Sequence, residues 1–172
     1  MQRYAIRLAR PGDVARLARI ERASAALFRP YGFARQFARE TVPADQLAAA
    51  VEARSLWIAA DERDRPVGFA LLDELDGNAH LHEIDVDPRH GRRGLGRALL
   101  GTVIAAARER RFPAITLTTF RHVPWNAPFY ASMGFRVIAE RELSEVLRAV
   151  LRAEAARGLP AKERVAMRLR LR

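Results

Sequence analysis

Hydrophobic side chains recur along this chain in two rhythms, one strand-like and one helix-like. Met1 to Arg7 alternates as a half-buried strand does, and Tyr4 to Arg10 is expected to be the first strand. Pro11-Gly12-Asp13 is a turn, with Asp13 placed to cap a helix. Val14, Leu17, Ala18, Ile20, Glu21, Ala25 and Leu27 then keep a roughly helical period. Phe28 to Phe37 is irregular, and Pro43 to Arg54 reads as a second helix. Ser55 to Ala60 and Pro66 to Leu75 are expected to be strands joined by the charged turn Asp61 to Arg65. After the turn Asp76-Gly77-Asn78 comes a strand from Ala79 to Asp87, closed by Pro88, which has no amide hydrogen for a ladder. A helix follows with Leu95, Leu99, Leu100, Val103, Ile104 and Ala107 on its apolar face. The remaining expectations are a strand over Ala114 to Phe120, a short helix from Asn126 to Gly134, and a strand over Phe135 to Glu140. A helix over Leu143 to Arg157 and a last strand over Val165 to Leu171 complete the pattern. This order predicts an α/β (α+β) fold with a mixed sheet flanked by helices, in a single domain spanning residues 1–172.

Composition narrows the chemistry. There is no cysteine, which excludes disulfides, thiolate metal sites and a cysteine nucleophile. No apolar run is long enough to cross a bilayer, and the N-terminus lacks a signal-peptide core, so a cytoplasmic protein is expected, without a membrane partner. The formal net charge is +10, yet Lys162 is the one lysine among 30 basic residues, and these are spread without a block. An arginine-favouring genome accounts for that skew, and no nucleic-acid partner is expected. The basic surface still favours anionic ligands.

The stretch Asp85 to Leu100 carries the most chemistry. A strand ends, a glycine-rich turn follows and a long amphipathic helix begins. Helix starts expose unpaired N–H groups with a partial positive charge, a natural seat for phosphate. Gly94 and Gly96 let a ligand approach the backbone, and Arg92, Arg93 and Arg97 add charge. On these residues the sequence resembles the GNAT superfamily of N-acetyltransferases, whose signature is Gln/Arg-x-x-Gly-x-Gly/Ala. Gly91 departs from it, standing where Gln or Arg is usual. The resemblance implies that acetyl-CoA is the co-substrate. It places the pyrophosphate on the amides of Arg92, Arg93, Gly94, Leu95, Gly96 and Arg97, and the pantetheine arm on the backbone of Ile84, Asp85 and Val86.

A second match is Tyr130-Ala131-Ser132-Met133-Gly134-Phe135, similar to the family's Tyr-x-x-x-Gly-Phe. It implies that Tyr130 protonates the departing thiolate. The chemistry is balanced, because phenols and thiols both titrate at roughly pH 8.5–10. The family's pantetheine-binding asparagine is replaced by Val123, which leaves Asn126 either a pantetheine contact or only a helix cap. On the strand before the loop, His80 and His82 share one face, and Glu83 points the other way with Asp85. An alkylammonium must lose a proton before it attacks, and imidazole is suited to take it. Ala79-His80-Leu81-His82 resembles the arylalkylamine N-acetyltransferases, which implies a proton-accepting role for the pair. Glu83 is the alternative base, and no metal is expected.

Near the acceptor end, Glu21, Phe28, Tyr31, Phe33 and Phe37 either shape a pocket for an ammonium-bearing substrate or pack the loop onto the sheet. The overall expectation is a twisted sheet splayed between the Ala79 and Ala114 strands. The enzyme would be an acyl-CoA-dependent N-acetyltransferase acting on a small-molecule primary amine by direct attack, with the thioester oxygen meeting the amide near Val86. The rivals are a protein or peptide N-acetyltransferase on the same fold and a CoA-binding module without turnover. A homodimer is left open.

Overall fold

The computed structural model describes residues 3–171, so Met1 and Gln2 of the alternating N-terminal stretch lie outside the described residues. In chain order the elements are β1 (Ala5–Leu8), α1 (Val14–Ser24), α2 (Ala34–Arg39), α3 (Ala44–Glu52), β2 (Leu56–Ala60), β3 (Pro66–Leu75) and β4 (Asn78–Val86). Then come α4 (Leu95–Glu109), β5 (Ala114–Phe120), α5 (Ala127–Ser132), β6 (Arg136–Val137), α6 (Glu145–Ala156) and β7 (Arg164–Arg170). The strand order is β1-β2-β3-β4-β5-β7-β6. β4 and β5 pair in parallel at Ala79–Ile115 and His80–Thr116, whereas β1–β2, β2–β3, β5–β7 and β6–β7 are antiparallel. The sheet is therefore mixed, with helices flanking it. The β3–β4 hairpin turns on Asp76 (φ 55°) and Gly77 (φ 69°), the paired left-handed residues that suit the twist of a two-residue hairpin.

By internal packing the chain divides into two compact units, residues 1–72 with 82–105, and residues 73–81 with 106–172. The first is built on Leu17, Ile20, Leu47, Leu56, Ile58, Phe69 and Leu71, all at most 4% exposed. Its β2–β3 turn is tied by Asp61, which accepts from the amides of Arg63 and Arg65 and from the Arg65 guanidinium. That ion pair holds the Asp61 carboxyl down at about 2. In the second unit Ile138, Leu147 and Ala166 pack with Leu75, Leu143 and Leu151. Ser144 caps α6 by accepting from the Leu147 amide.

Three local expectations are corrected. The Asp13 side chain does not cap α1; it accepts from the Arg10 amide and from the Arg7 guanidinium, because a buried carboxylate gains more from a charged partner than from one helix amide. Phe28 to Phe37 is more regular than its composition suggests. A 3-10 stretch over Ala25–Tyr31 ends at left-handed Gly32 (φ 83°), and α2 follows. β6 is only two residues long, since the Phe135 amide turns back to the Tyr130 carbonyl and Glu140–Glu142 coils into a 3-10 turn.

Candidate active site

The glycine-rich loop begins where β4 ends. The Asp87 amide donates to the Val67 carbonyl, and its carboxylate accepts from the Arg89 amide and guanidinium, which starts the 3-10 turn Pro88–His90. That interaction lowers the Asp87 carboxyl below its ordinary range. Gly91 then donates to the Pro88 carbonyl, and a Cβ at Gly91 would come within 3.1 Å of that same oxygen. A side chain at Gly91 would require that carbonyl to give by a few tenths of an ångström. Next come two left-handed residues, Arg92 (φ 58°) and Gly94 (φ 79°), before the first turn of α4. A non-glycine residue in that conformation costs about 1–2 kcal/mol, the kind of strain that clusters at ligand-binding loops. Arg92, Arg93 and Arg97 are exposed.

Sequence reasoning missed the brace on this loop. The Tyr4 hydroxyl lies 3.0 Å from His90 Nδ1. Arg93 donates to the same hydroxyl, and its guanidinium lies 5.8 Å from the Tyr4 ring centroid. Tyr4 comes from the chain's first residues, so no local motif could have linked it to the loop. A cavity of about 290 Å³ opens beside His90, lined by Arg16, Arg19, Asp61, Arg65, Asp87 and Arg89 among others. Its lining sets four arginines against two aspartates, which are engaged in the Asp61–Arg65 and Asp87–Arg89 pairs, and none of the predicted catalytic residues lines it.

The two histidines differ in surroundings. His80 is buried, with Nδ1 2.9 Å from Thr116 Oγ1. Thr116 Oγ1 also lies 3.4 Å from the Ala79 carbonyl oxygen, so one hydroxyl joins the buried ring to the backbone of its own strand. His82 is exposed. Glu83 and Asp85, half-buried on the next positions of β4, meet Glu21 of α1. One carboxyl oxygen from each lies within 4.8 Å of the others, which no sequence spacing suggested. Glu21 is 4% exposed; its Oε2 accepts from the Val42 amide and its Oε1 has no hydrogen-bond partner. Burial, reduced by the Val42 hydrogen bond and reinforced by the Glu83 charge, pushes Glu21 up to about 7. Burial and the Glu83 charge likewise raise Asp85 well above its ordinary value, against the hydrogen bond from Ser24.

Tyr130 is 8% exposed on α5, packed against the rings of Phe129 and Phe135. Left-handed Gly134 (φ 93°) ends this segment, and a Cβ there would come within 3.3 Å of the Leu169 side chain. Asn126 stands at the start of α5, but its Oδ1 accepts from the Phe120 amide instead of a helix amide.

The family model described as "Acetyltransferase (GNAT) family" matches residues 17–135, more than half of the chain and inclusive of β4, the loop and α5. The chain belongs to this family. Acetyl-CoA is the family's co-substrate, and amine acetylation is its chemistry. Among curated relatives, the peptidyl-lysine N-acetyltransferase YjaB of Escherichia coli (strain K12) is 31% identical over 91 residues. That match covers 53% of this chain and 56% of YjaB, so the chain spans about half the length of that relative. Among solved structures, PaiA N-acetyltransferase from Thermoplasma acidophilum, in complex with coenzyme A, has a TM-score of 0.71 at 16% identity, covering 98% of this chain and 99% of that one. N-acetylglutamate synthase from Neisseria gonorrhoeae, complexed with coenzyme A and N-acetyl-glutamate, has a TM-score of 0.71 at 21% identity, covering 99% of this chain and 35% of that one. At these identities the likeness is one of fold. Among the described residues, no helix is long and apolar enough to cross a membrane.

Proposed function

We propose that this chain transfers the acetyl group of acetyl-CoA to a primary amine of a small molecule, by direct attack and in the cytoplasm. The observation that carries the reading is the loop opening α4, with left-handed Arg92 and Gly94, three exposed arginines and the Tyr4–His90–Arg93 brace. We assign the pyrophosphate to the amides from Arg92 through Gly94, Leu95 and Gly96 to Arg97, where the N–H groups of the helix start lack intrahelical acceptors. The backbone of Ile84, Asp85 and Val86 holds the pantetheine arm, and the Val86 amide polarises the thioester carbonyl. Asn126 commits its oxygen to Phe120, so its amide nitrogen is what it offers the arm.

The acceptor arrives as an ammonium and first loses a proton. His82 and Glu83 retain some exposure, whereas His80 is buried and receives a proton through water. The free amine then attacks the carbonyl carbon. The C–N bond forms, the C–S bond breaks, the nitrogen gives up its second proton to the base, and Tyr130 protonates the leaving thiolate. The products are an amide, CoA thiol and one proton released to solvent.

A second reading, acetylation of a peptidyl lysine, is favoured by the name of YjaB; a lysine side chain is itself a primary alkylamine. Thiol release from acetyl-CoA, followed with a panel of small amines and lysine peptides and checked by product mass, separates the readings. Turnover with small amines is expected. Turnover of peptides alone would move the acceptor to protein, and CoA binding without any turnover would leave a binding module. Tyr130→Phe keeps the ring and removes the proton donor, so kcat should fall by roughly 10²-fold with little change in CoA affinity. An unchanged kcat where chemistry limits the rate would take Tyr130 out of the mechanism.

A further inference from the structure

Glu21 is the oddest polar group in its unit. A carboxylate buried to 4% exposure ordinarily has its oxygens satisfied, yet only Oε2 has a task, accepting from the Val42 amide 2.9 Å away. That bond explains why α1 holds the Val42 segment. It does not explain an oxygen left without a partner beside two more acids, Glu83 and Asp85, all within 4.8 Å. Three carboxyls at that separation repel each other when ionised, and burial strengthens the repulsion. The charged groups around Glu21 are Glu83 and Asp85 of β4, His82 of the same strand and Arg22 of its own helix; Glu83 pushes Glu21 upward, and His82 and Arg22 pull against it.

Ser24 Oγ lies 2.9 Å from the Glu21 backbone carbonyl and 2.6 Å from Asp85 Oδ1. A hydroxyl has one proton, and the carbonyl can only accept. That proton serves either the Glu21 carbonyl or Asp85 Oδ1, and when it is given to Asp85 it works against the upward push on that carboxyl. Burial and mutual repulsion push Glu21 and Asp85 upward together, so without a cation the cluster holds protons that a bound positive charge would expel.

We propose that Glu21, Glu83 and Asp85 form a seat for a primary alkylammonium group, and that Glu21 sets the acceptor specificity for aliphatic amines that arrive as cations. An ammonium brings three N–H donors, and the cluster offers three carboxyl acceptors, one of them the unpartnered Glu21 oxygen. Such a seat rejects the isosteric alcohol, which lacks the charge, and arylamines, which are neutral at pH 7. The identification of this cation as the acetyl acceptor rests on the function proposed above; the seat itself does not need acetyl-CoA.

The test is calorimetry of n-butylamine binding, with 1-butanol as the neutral isostere, with and without saturating CoA. It is run in two buffers of different ionisation enthalpy, so that proton release is read directly. Wild type should bind the amine and release protons, and should not bind the alcohol. Glu21→Gln keeps an acceptor for the Val42 amide and should weaken amine binding at least tenfold while binding acetyl-CoA as wild type does, which also reports an intact fold. Glu83→Gln should weaken it in the same direction. Equal amine affinity in wild type and Glu21→Gln, or no amine binding in any condition, overturns the seat. So does stoichiometric, Glu21-dependent binding of Mg²⁺, Mn²⁺ or Ca²⁺ in place of the amine, which would make the cluster a metal site. Glu21-dependent amine binding without acetyl-CoA turnover would support the seat and refute the acetyl-transfer reading alone.

Discussion

Two glutamates are buried almost equally in this protein, Glu154 at 6% exposure and Glu21 at 4%, and their surroundings are opposite. Glu154 on α6 receives a two-pronged hydrogen bond from Arg164 of β7, at 2.9 and 2.8 Å, and a third from the Thr118 hydroxyl at 2.6 Å. The Arg164 guanidinium lies 4.7 Å from the Phe120 ring centroid, so both charges are held on several sides. Glu21 receives one amide bond and faces two further acids. A compensated buried carboxylate ties elements together. An uncompensated one lowers stability, and its retention points to a ligand that supplies the missing charge.

The largest expected effect comes from making Glu154 resemble Glu21. Arg164→Met leaves that carboxylate buried without its cation, and should cost about 3–5 kcal/mol in urea unfolding. Adding Glu154→Leu should recover most of the loss, because a buried pair replaced by apolar side chains is often neutral. A single change that costs nothing would mean the pair is not holding α6 to β7. The converse change is smaller and of opposite sign. Glu21→Gln removes an uncompensated charge and should stabilise the ligand-free protein at pH 8 by about 1 kcal/mol, or roughly 2–4 °C in Tm for a chain of this size. A loss of Tm would show that the Glu21 charge is already balanced.

Most of the fold was legible in the sequence because period and punctuation agree. β3, β5 and the apolar face of α4 fall where alternation and helical spacing place them, and Gly77 and Gly134 mark turns that need left-handed residues. β6 was overextended, since the alternation after Phe135 outlasts the two residues that pair with β7. The loop at Arg92–Arg97 and the Tyr130 segment, each written in consecutive residues, fall where the sequence placed them, at the opening of α4 and on α5. The Tyr4 brace, the Thr116 partner of His80 and the meeting of Glu21 with Glu83 and Asp85 were not legible, since each joins residues far apart in the chain. The aromatics after α1 also read differently in three dimensions. Phe28 and Phe33 meet Phe37 tilted and edge-on, with ring centroids 4.7 and 6.5 Å apart, and all three rings stay half-buried.

The most direct measurement of the contrast between the two glutamates is unfolding free energy against pH for wild type and Glu21→Gln. Glu21 titrates near 4.5 when unfolded and near 7 when folded, so between these values the native state holds a proton that the unfolded chain has lost. Stability must then fall as pH rises through that window, the reverse of an ordinary salt-bridged carboxylate. Wild type should lose stability relative to Glu21→Gln from about pH 4.5 upward, with the gap levelling off above pH 7. Two curves that stay parallel across the window would contradict the claim that Glu21 is a buried acid awaiting a cation.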